Sequence, residues 1–293
     1  MENRVFRPID KLKNGVEEIA RGNYNVKVES DVINDLSFIG LLVDSFNEMA
    51  RKLWASEKMK AEYEENRKLL IANISHDLKT PISSVQGYIE AILDGVVIEP
   101  EKVTMYLKTI YQNTAYIDKL IDDLFLFSKL DLQKLDFQFE SIQIRAFMND
   151  LMEEFKFELE EKQFNFNYVN KMKGDSLICI DRKRIYQAFK NIIGNAVKYG
   201  ANQDLSIKIE MDRQDDFIDI CIEDNGPGIP QDQLPHIFNR FYRIDNERTK
   251  DLMSTGLGLA IAKELVQAHR GSIAVTSTEN EGSRFIIRLP VIK

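Results

Sequence analysis

Cysteine is almost missing from this chain: two occur in 293 residues, Cys179 and Cys221, and neither sits in a CxxC arrangement. That excludes a disulfide scaffold and a cysteine metal site, and it fits a reduced environment in which both thiols fill core positions. Long apolar runs are missing too. The longest stretch free of charge, Leu252 to Ala262, falls well short of the ~20 apolar residues that cross a bilayer. The opening Met1-Glu-Asn-Arg-Val-Phe-Arg-Pro8 lacks the apolar segment and small-residue cleavage site of a signal peptide. The chain as given is therefore expected neither to span a membrane nor to carry a leader. A basic excess is absent as well, since 39 Lys and Arg stand against 47 Asp and Glu for a net charge of -8. No broad cationic surface for nucleic acid is implied.

Glycine and proline are absent from Leu41 to just before Pro81, and that absence predicts a long helical rod. Ahead of it, Ile9, Leu12, Val16 and Ile19 recur at three- and four-residue steps and stop at Gly22. After a connector containing Val26 and Val28, a second stripe runs through Ile39, Leu42, Phe46, Met49 and Leu53. Each of these helices is too small to bury its own stripe, so two copies are expected to form a parallel four-helix bundle. The rod continues through Ile71, Ile74, Leu78, Val85, Ile89 and Ile92 to a turn at Asp94-Gly95. Glu99-Pro100-Glu101 opens a partner helix with a seam of Val103, Tyr106, Ile110, Asn113, Ile117, Leu120, Leu124 and Phe127. Two such hairpins predict an antiparallel four-helix dimer bundle. Beyond Leu130, alternating strands such as Ser206–Glu210, Ile218–Ile222, Ser272–Thr276 and Arg284–Leu289 are interleaved with helices, which predicts an α/β domain.

Four clusters carry chemistry. In Asn73-Ile74-Ser75-His76-Asp77-Leu78-Lys79-Thr80-Pro81, His76 lies off the apolar stripe and should face solvent. An exposed neutral imidazole is an available nucleophile, and Asp77 can take an N–H from the ring and fix its tautomer. Pro81 cannot donate to the carbonyl of Asp77, so the helix should be weakened beside the histidine. A phosphate donor must be bound without a phosphate loop, because neither GxxxxGK[ST] nor a protein-kinase catalytic set occurs. Asp181 can cap a helix through Ile185, Phe189 and Ile192 on which Asn191, Asn195 and Lys198 share a face. Amide oxygens there suit Mg²⁺ and the ammonium suits phosphate. Strand alternation puts Asp224 on the same side as Ile218, Ile220 and Ile222, where a buried carboxylate needs a partner. An exocyclic adenine amine is one candidate, with Gly226 and Gly228 allowing close approach of backbone. Finally, Ser254-Thr255-Gly256-Leu257-Gly258 places glycines at a helix start, where backbone N–H groups favour phosphate.

With those residues in view, the chain resembles a sensor histidine kinase of a two-component system over nearly its whole length. Residues 1–56 resemble a HAMP signal-relay domain, in Arg7-Pro8-Ile9 and Phe46-Asn47-Glu48-Met49-Ala50. Residues 57–135 resemble a HisKA-type dimerisation and phosphotransfer domain, and 136–293 the catalytic ATP-binding domain of the GHKL superfamily, an α/β sandwich. The resemblance implies a multidomain α and α+β protein that autophosphorylates His76 from Mg-ATP and passes the phosphoryl group to an aspartate of a response regulator. It gives Asp77 an acid/base role, and Thr80 the positioning of water for dephosphorylating that regulator. It places Asn191, Asn195, Lys198, Tyr199, Asp224, Gly226, Gly228, Arg243, Gly256, Leu257 and Gly258 beside the nucleotide, with Asn195 on the metal. Phe238, Arg240, Phe241, Tyr242 and Arg243 match the lid segment, and Gly282 the last glycine-containing turn. One departure is that Met253-Ser254 stand where the family often has glycine ahead of the residue matching Thr255. His236 and His269 are poorer acceptors, the first being in the lid and the second ending a helix. The resemblance also implies a homodimer, no nucleic-acid partner, and a place on the cytoplasmic side of a membrane through an upstream segment.

Two other readings stay open on the sequence. One is a GHKL-type ATP hydrolase that clamps a dimer, and the other is a coiled-coil signalling scaffold with a degenerate nucleotide pocket.

Overall fold

The computed structural model describes residues 2–29, 38–132, 134–200, 204–244 and 255–292. The chain divides into two compact units, Met1–Ile74 and Ser75–Lys293. The second helix, Phe38–Leu93, contributes its first part to one and its remainder to the other.

In the first unit, α1 (Glu2–Ala20) ends at a turn where Gly22 takes φ +88°. The connector then returns along the start of α2 (Phe38–Leu93). Val28, Val43, Phe46 and Ala50 form a buried cluster with Leu12, Ile19 and Val26 packed on it. The Asn47 side chain pins the connector by accepting the Val28 N–H at 2.8 Å and donating to the Val28 carbonyl at 2.9 Å. The expected stripes therefore split, because Leu12, Ile19 and Phe46 are covered within the chain while Ile9, Val16, Leu42 and Met49 stay exposed.

In the second unit, α2 ends at Leu93, Gly95 turns with φ +68°, and α3 (Pro100–Asp131) begins with proline in its first turn. Tyr88 and Tyr106 meet edge to face, with ring centroids 4.6 Å apart. Pro81 sits inside α2, yet the helix is assigned unbroken from Phe38 to Leu93. The hydrogen bond that proline cannot make, to the Asp77 carbonyl, is the weakening expected beside His76.

The α/β part follows with β1 (Glu140–Gln143), α4 (Ile144–Glu161), β2 (Asn165–Asn170), β3 (Leu177–Ile180) and α5 (Arg182–Gly200). It continues with β4 (Ser206–Gln214), β5 (Phe217–Asp224), α6 (Gly258–Ala268), β6 (Ser272–Thr278) and β7 (Gly282–Pro290). Five strands form a mixed sheet in the order β2-β4-β5-β7-β6, with only β2 and β4 parallel, while β1 and β3 pair antiparallel apart from it. Ile207, Ile209, Met211, Ile218, Ile220, Ile287 and Leu289 are buried on one face, together with Phe155, Phe189, Ile192 and Ile261 from the helices. Alternation leaves the other face charged. There Arg288 grips Asp219 with two hydrogen bonds of 2.7 and 2.6 Å, and Lys171 and Lys208 hold Glu210. Cys221 is buried, but Cys179 is exposed, which corrects the expectation that both cysteines fill core positions. Its strand belongs to a two-stranded sheet that leaves one side uncovered.

His269 is a core residue. Its Nε2 accepts the Asp181 N–H at 2.9 Å, and its Nδ1 lies 2.7 Å from the Leu265 carbonyl, which assigns the proton to Nδ1. Phe137 and Phe139 pack edge-on against the ring. Burial holds its pKa below the usual 6.5, so the unfolded chain binds a proton that the folded chain refuses. Stability is then fully present above pH 6.5 and drains away as pH falls below it toward the folded value. Thermal melts at about pH 7.5 and about pH 5.5 should show an acid loss of Tm, and His269→Gln, which cannot titrate, should lack that part of the slope.

Candidate nucleotide cavity and phospho-acceptor histidine

Asp181 starts α5. Its Oδ1 accepts the Arg184 N–H at 3.1 Å and its Oδ2 the Gln138 N–H at 2.9 Å, an N-cap that stabilises the helix by about 1 kcal/mol. The buried Ile185, Phe189 and Ile192 fix which side of α5 faces the sheet. That leaves Asn191, Asn195 and Lys198 on one side, where all three line a cavity of about 580 Å³. Tyr199 lines it too, and the Lys198 Nζ lies 5.0 Å from the centroid of its ring. At the end of β5, Asp224 forms another wall. It is buried, accepts the Gly226 N–H at 2.9 Å, and is pushed above the usual carboxylate pKa by burial.

Gly228 lines the cavity beside it with φ +68°, and a Cβ there would overlap the Thr278 carbonyl. Its lack of a side chain thus serves the packing of the loop on the β6–β7 hairpin as well as room for a ligand. Tyr242 and Arg243 close one side, and Thr255, Gly256 and Gly258 at the start of α6 another. Gly256 has φ +64° and receives the Phe241 N–H on its carbonyl at 2.9 Å, which ties the two chain segments together.

Most of the nucleotide residues expected from sequence therefore share one cavity. Two do not line it. Gly226 is buried behind Asp224, and Leu257 is fully buried, its N–H donated to the Thr255 hydroxyl at 3.2 Å. Arg240 of the lid segment has its guanidinium 4.5 Å from the centroid of Phe127 and its Nη2 2.7 Å from Asp131. His236 lies near Tyr242 and stays outside the cavity lining. The Met253-Ser254 departure falls outside the described residues. The sequence reading missed a whole wall, because Lys119, Asp122 and Asp123 of α3 line the same cavity. The available signal was the spacing of Asp123, Phe127 and Asp131 by four, which the heptad seam disguised.

The fit of a Mg-nucleotide can be judged on the donor set. The Nδ2 of Asn191 is buried with no hydrogen-bond partner among the described residues, an arrangement that costs about 1–3 kcal/mol unless an acceptor arrives. A phosphate oxygen is such an acceptor. Asn195 offers a hard amide oxygen, Lys198 and Arg243 offer charge, and Asp224 offers an acceptor for an amine. Together these groups fit a nucleotide with its divalent cation.

His76 stands apart from that cavity. Its side chain is 81% exposed, and its Nδ1 lies 3.3 Å from Oδ1 of the half-buried Asp77. With Nδ1 engaged, Nε2 is the ring nitrogen open to solvent. The Thr80 hydroxyl donates back to the His76 carbonyl at 3.3 Å, a common habit of helical threonine. His76 is not among the cavity-lining residues, so this arrangement does not bring acceptor and nucleotide site together.

Comparison with known families decides the identity. Residues 1–55 match the HAMP domain, residues 66–133 the His Kinase A (phospho-acceptor) domain, and residues 180–293 the histidine kinase-, DNA gyrase B- and HSP90-like ATPase family. The chain belongs to the sensor histidine kinases. Among curated histidine kinases it is similar to WalK of Bacillus subtilis, with 35% identity over 228 residues, which is 78% of this chain and 37% of that one. The sensor histidine kinase YclK of the same organism is 29% identical over 284 residues, covering 97% of this chain and 58% of its own. The chain thus spans only part of the length of these relatives. Among solved kinases, AdeS of Acinetobacter baumannii shares 26% identity with a TM-score of 0.58, covering 74% of this chain and 98% of that one. ThkA, solved in complex with the response regulator protein TrrA, shares the fold at a TM-score of 0.64 and 18% identity, covering 82% of this chain and 66% of its own. Among the described residues no helix is long and apolar enough to cross a membrane.

Proposed function

We propose that this histidine kinase transfers the γ-phosphoryl group of Mg-ATP to Nε2 of His76 and passes it to an aspartate of a separate response regulator. The observation that carries the reading is the pairing of one exposed histidine, its Nδ1 held by Asp77, with a distinct cavity whose amides, cations and carboxylate suit a nucleotide. The Nε2 lone pair attacks the γ-phosphorus, the bond to the β,γ-bridging oxygen breaks, and ADP departs with that electron pair. The ring becomes cationic as the N–P bond forms, and Asp77 takes up the Nδ1 proton or stabilises it. Asn191, Lys198 and Arg243 hold and neutralise phosphate oxygens, and Asp224 accepts from the adenine amine. A Mg²⁺ ion on the Asn195 oxygen would supply further charge neutralisation.

The domain limits 1–56, 57–135 and 136–293 complete the proposal. So does a homodimer, in which the exposed Ile9, Val16, Leu42 and Met49 meet a second copy in a parallel bundle and the α2–α3 hairpins form an antiparallel one. The full-length protein would act on the cytoplasmic side of a membrane, without nucleic acid. Incubating the phosphorylated chain with purified response regulators tests the partner class. Label should pass to a regulator aspartate, and failure with every regulator tried would count against the relay.

Response-regulator phosphatase activity is part of the proposal and rests on Thr80, one turn past His76 on the same face. Its hydroxyl, when turned from the His76 carbonyl, can hold a water beside a docked phospho-aspartate. Thr80→Ala should keep most autokinase activity and lose about ten-fold or more in regulator dephosphorylation. If both activities fall together, Thr80 serves helix geometry, as its present hydrogen bond would by itself suggest.

A further inference from the structure

Asp123, Phe127 and Asp131 of α3 recur every four residues and so lie on one helical face. All three engage the nucleotide-binding part. Asp123 Oδ2 accepts the Thr255 hydroxyl at 3.1 Å, Phe127 underlies the Arg240 guanidinium, and Asp131 pairs with Arg240 at 2.7 Å. Asp123 is a buried acid, 6% exposed, and unlike the other two it walls the cavity that holds Asn191, Asn195 and Lys198. The hydroxyl that bonds it also accepts the Leu257 N–H at 3.2 Å, at the start of α6. A buried acidic side chain is therefore linked, through one threonine, to the helix terminus at which a terminal phosphate would be received. Burial pushes its pKa up, partly offset by Lys119 and the Thr255 hydrogen bond.

We propose that Asp123 is a positioning residue that sets docking of α3 against occupancy of the phosphate end of the cavity, so that a nucleoside triphosphate loosens the docked α3 and the docked α3 weakens triphosphate binding. The inference rests on reading the cavity as the ATP site. The carboxylate and the polyphosphate carry like charge across a poorly solvated space, where repulsion is screened little. Linkage makes the two effects equal in size. Adenosine carries no charge to that end and escapes the penalty, while ADP incurs part of it. The consequence for the reaction is mechanical, because ATP itself would release the nucleotide-binding part from α3 and leave it able to reach His76, which does not line the cavity.

Calorimetric titration of the whole chain with Mg-ATP, Mg-ADP and adenosine tests this in the parent protein, Asp123→Asn and Asp122→Asn. Asparagine at 123 keeps an oxygen for the Thr255 hydroxyl and removes the charge. Asp123→Asn should bind ATP roughly three- to ten-fold more tightly, ADP by less, and adenosine as the parent does. Asp122 lines the same cavity but is exposed, so Asp122→Asn should shift ATP affinity by no more than about two-fold. An unchanged or weaker ATP affinity in Asp123→Asn, an equal gain for all three ligands, or an equal gain in Asp122→Asn would overturn the proposal. A parent protein that binds no ATP would overturn the nucleotide reading itself, and this proposal with it.

Discussion

His76→Gln is expected to reduce phosphorylation of the chain from γ-labelled Mg-ATP to background while leaving ATP affinity within about two-fold of the parent. The two halves of that result come from different places in the structure. His76 is exposed, bonded only to Asp77 in its side chain, and absent from the cavity lining, so glutamine there disturbs neither packing nor nucleotide contacts. Glutamine is close in length and polarity but has no nucleophilic ring nitrogen. The remaining histidines do not substitute. His269 is buried with both ring nitrogens engaged, and His236 lies on an exposed turn outside the cavity lining. Acid-labile label persisting on the variant would move the acceptor elsewhere.

Asn195→Ala should cost about 100-fold or more in autophosphorylation at saturating Mg-ATP, with a much smaller effect on adenosine binding. The residue faces the cavity one turn beyond Asn191 on α5, and a shortened side chain there removes an oxygen that alanine cannot replace. The helix should not suffer, because alanine is the best helix former and the Asp181 cap lies more than three turns away. Measuring the rate against Mg²⁺ concentration separates metal placement from folding. A near-parent rate with unchanged Mg²⁺ dependence would mean that another group holds the cation.

How much of this could be read beforehand depended on whether the signal was local. On α5, the 4-and-3 spacing of Asn191, Asn195 and Lys198 beside the stripe of Ile185, Phe189 and Ile192 already specified one shared polar face, and the structure turns that face to the cavity. Asp224 was legible for the same reason, because two-residue alternation carries it to the side of Ile218, Ile220 and Ile222. The docking of α3 was not legible. Phe127 fits a heptad seam as well as it fits a platform for Arg240, and no local pattern tells a side chain buried by a sister helix from one buried by another domain. The partners of Arg240 were hidden for a related reason, since they lie on α3, 109 and 113 residues away in sequence. The exposure of Cys179 depends on its strand pairing with β1 outside the main sheet, a long-range choice that alternation leaves open. The stripes of the first unit were correctly periodic, but periodicity could not say which members are covered by the chain itself and which stay exposed.

Delivery of a phosphoryl group from the cavity to His76 rather than to water is decided by incubating the purified chain with γ-labelled Mg-ATP, then measuring protein-bound label, its stability to acid and base, its position by peptide mapping, and free phosphate in the same reaction. The expected result is label that is lost in acid, kept in base, and confined to the peptide carrying His76. Free phosphate released without any such adduct would contradict it and identify a hydrolase.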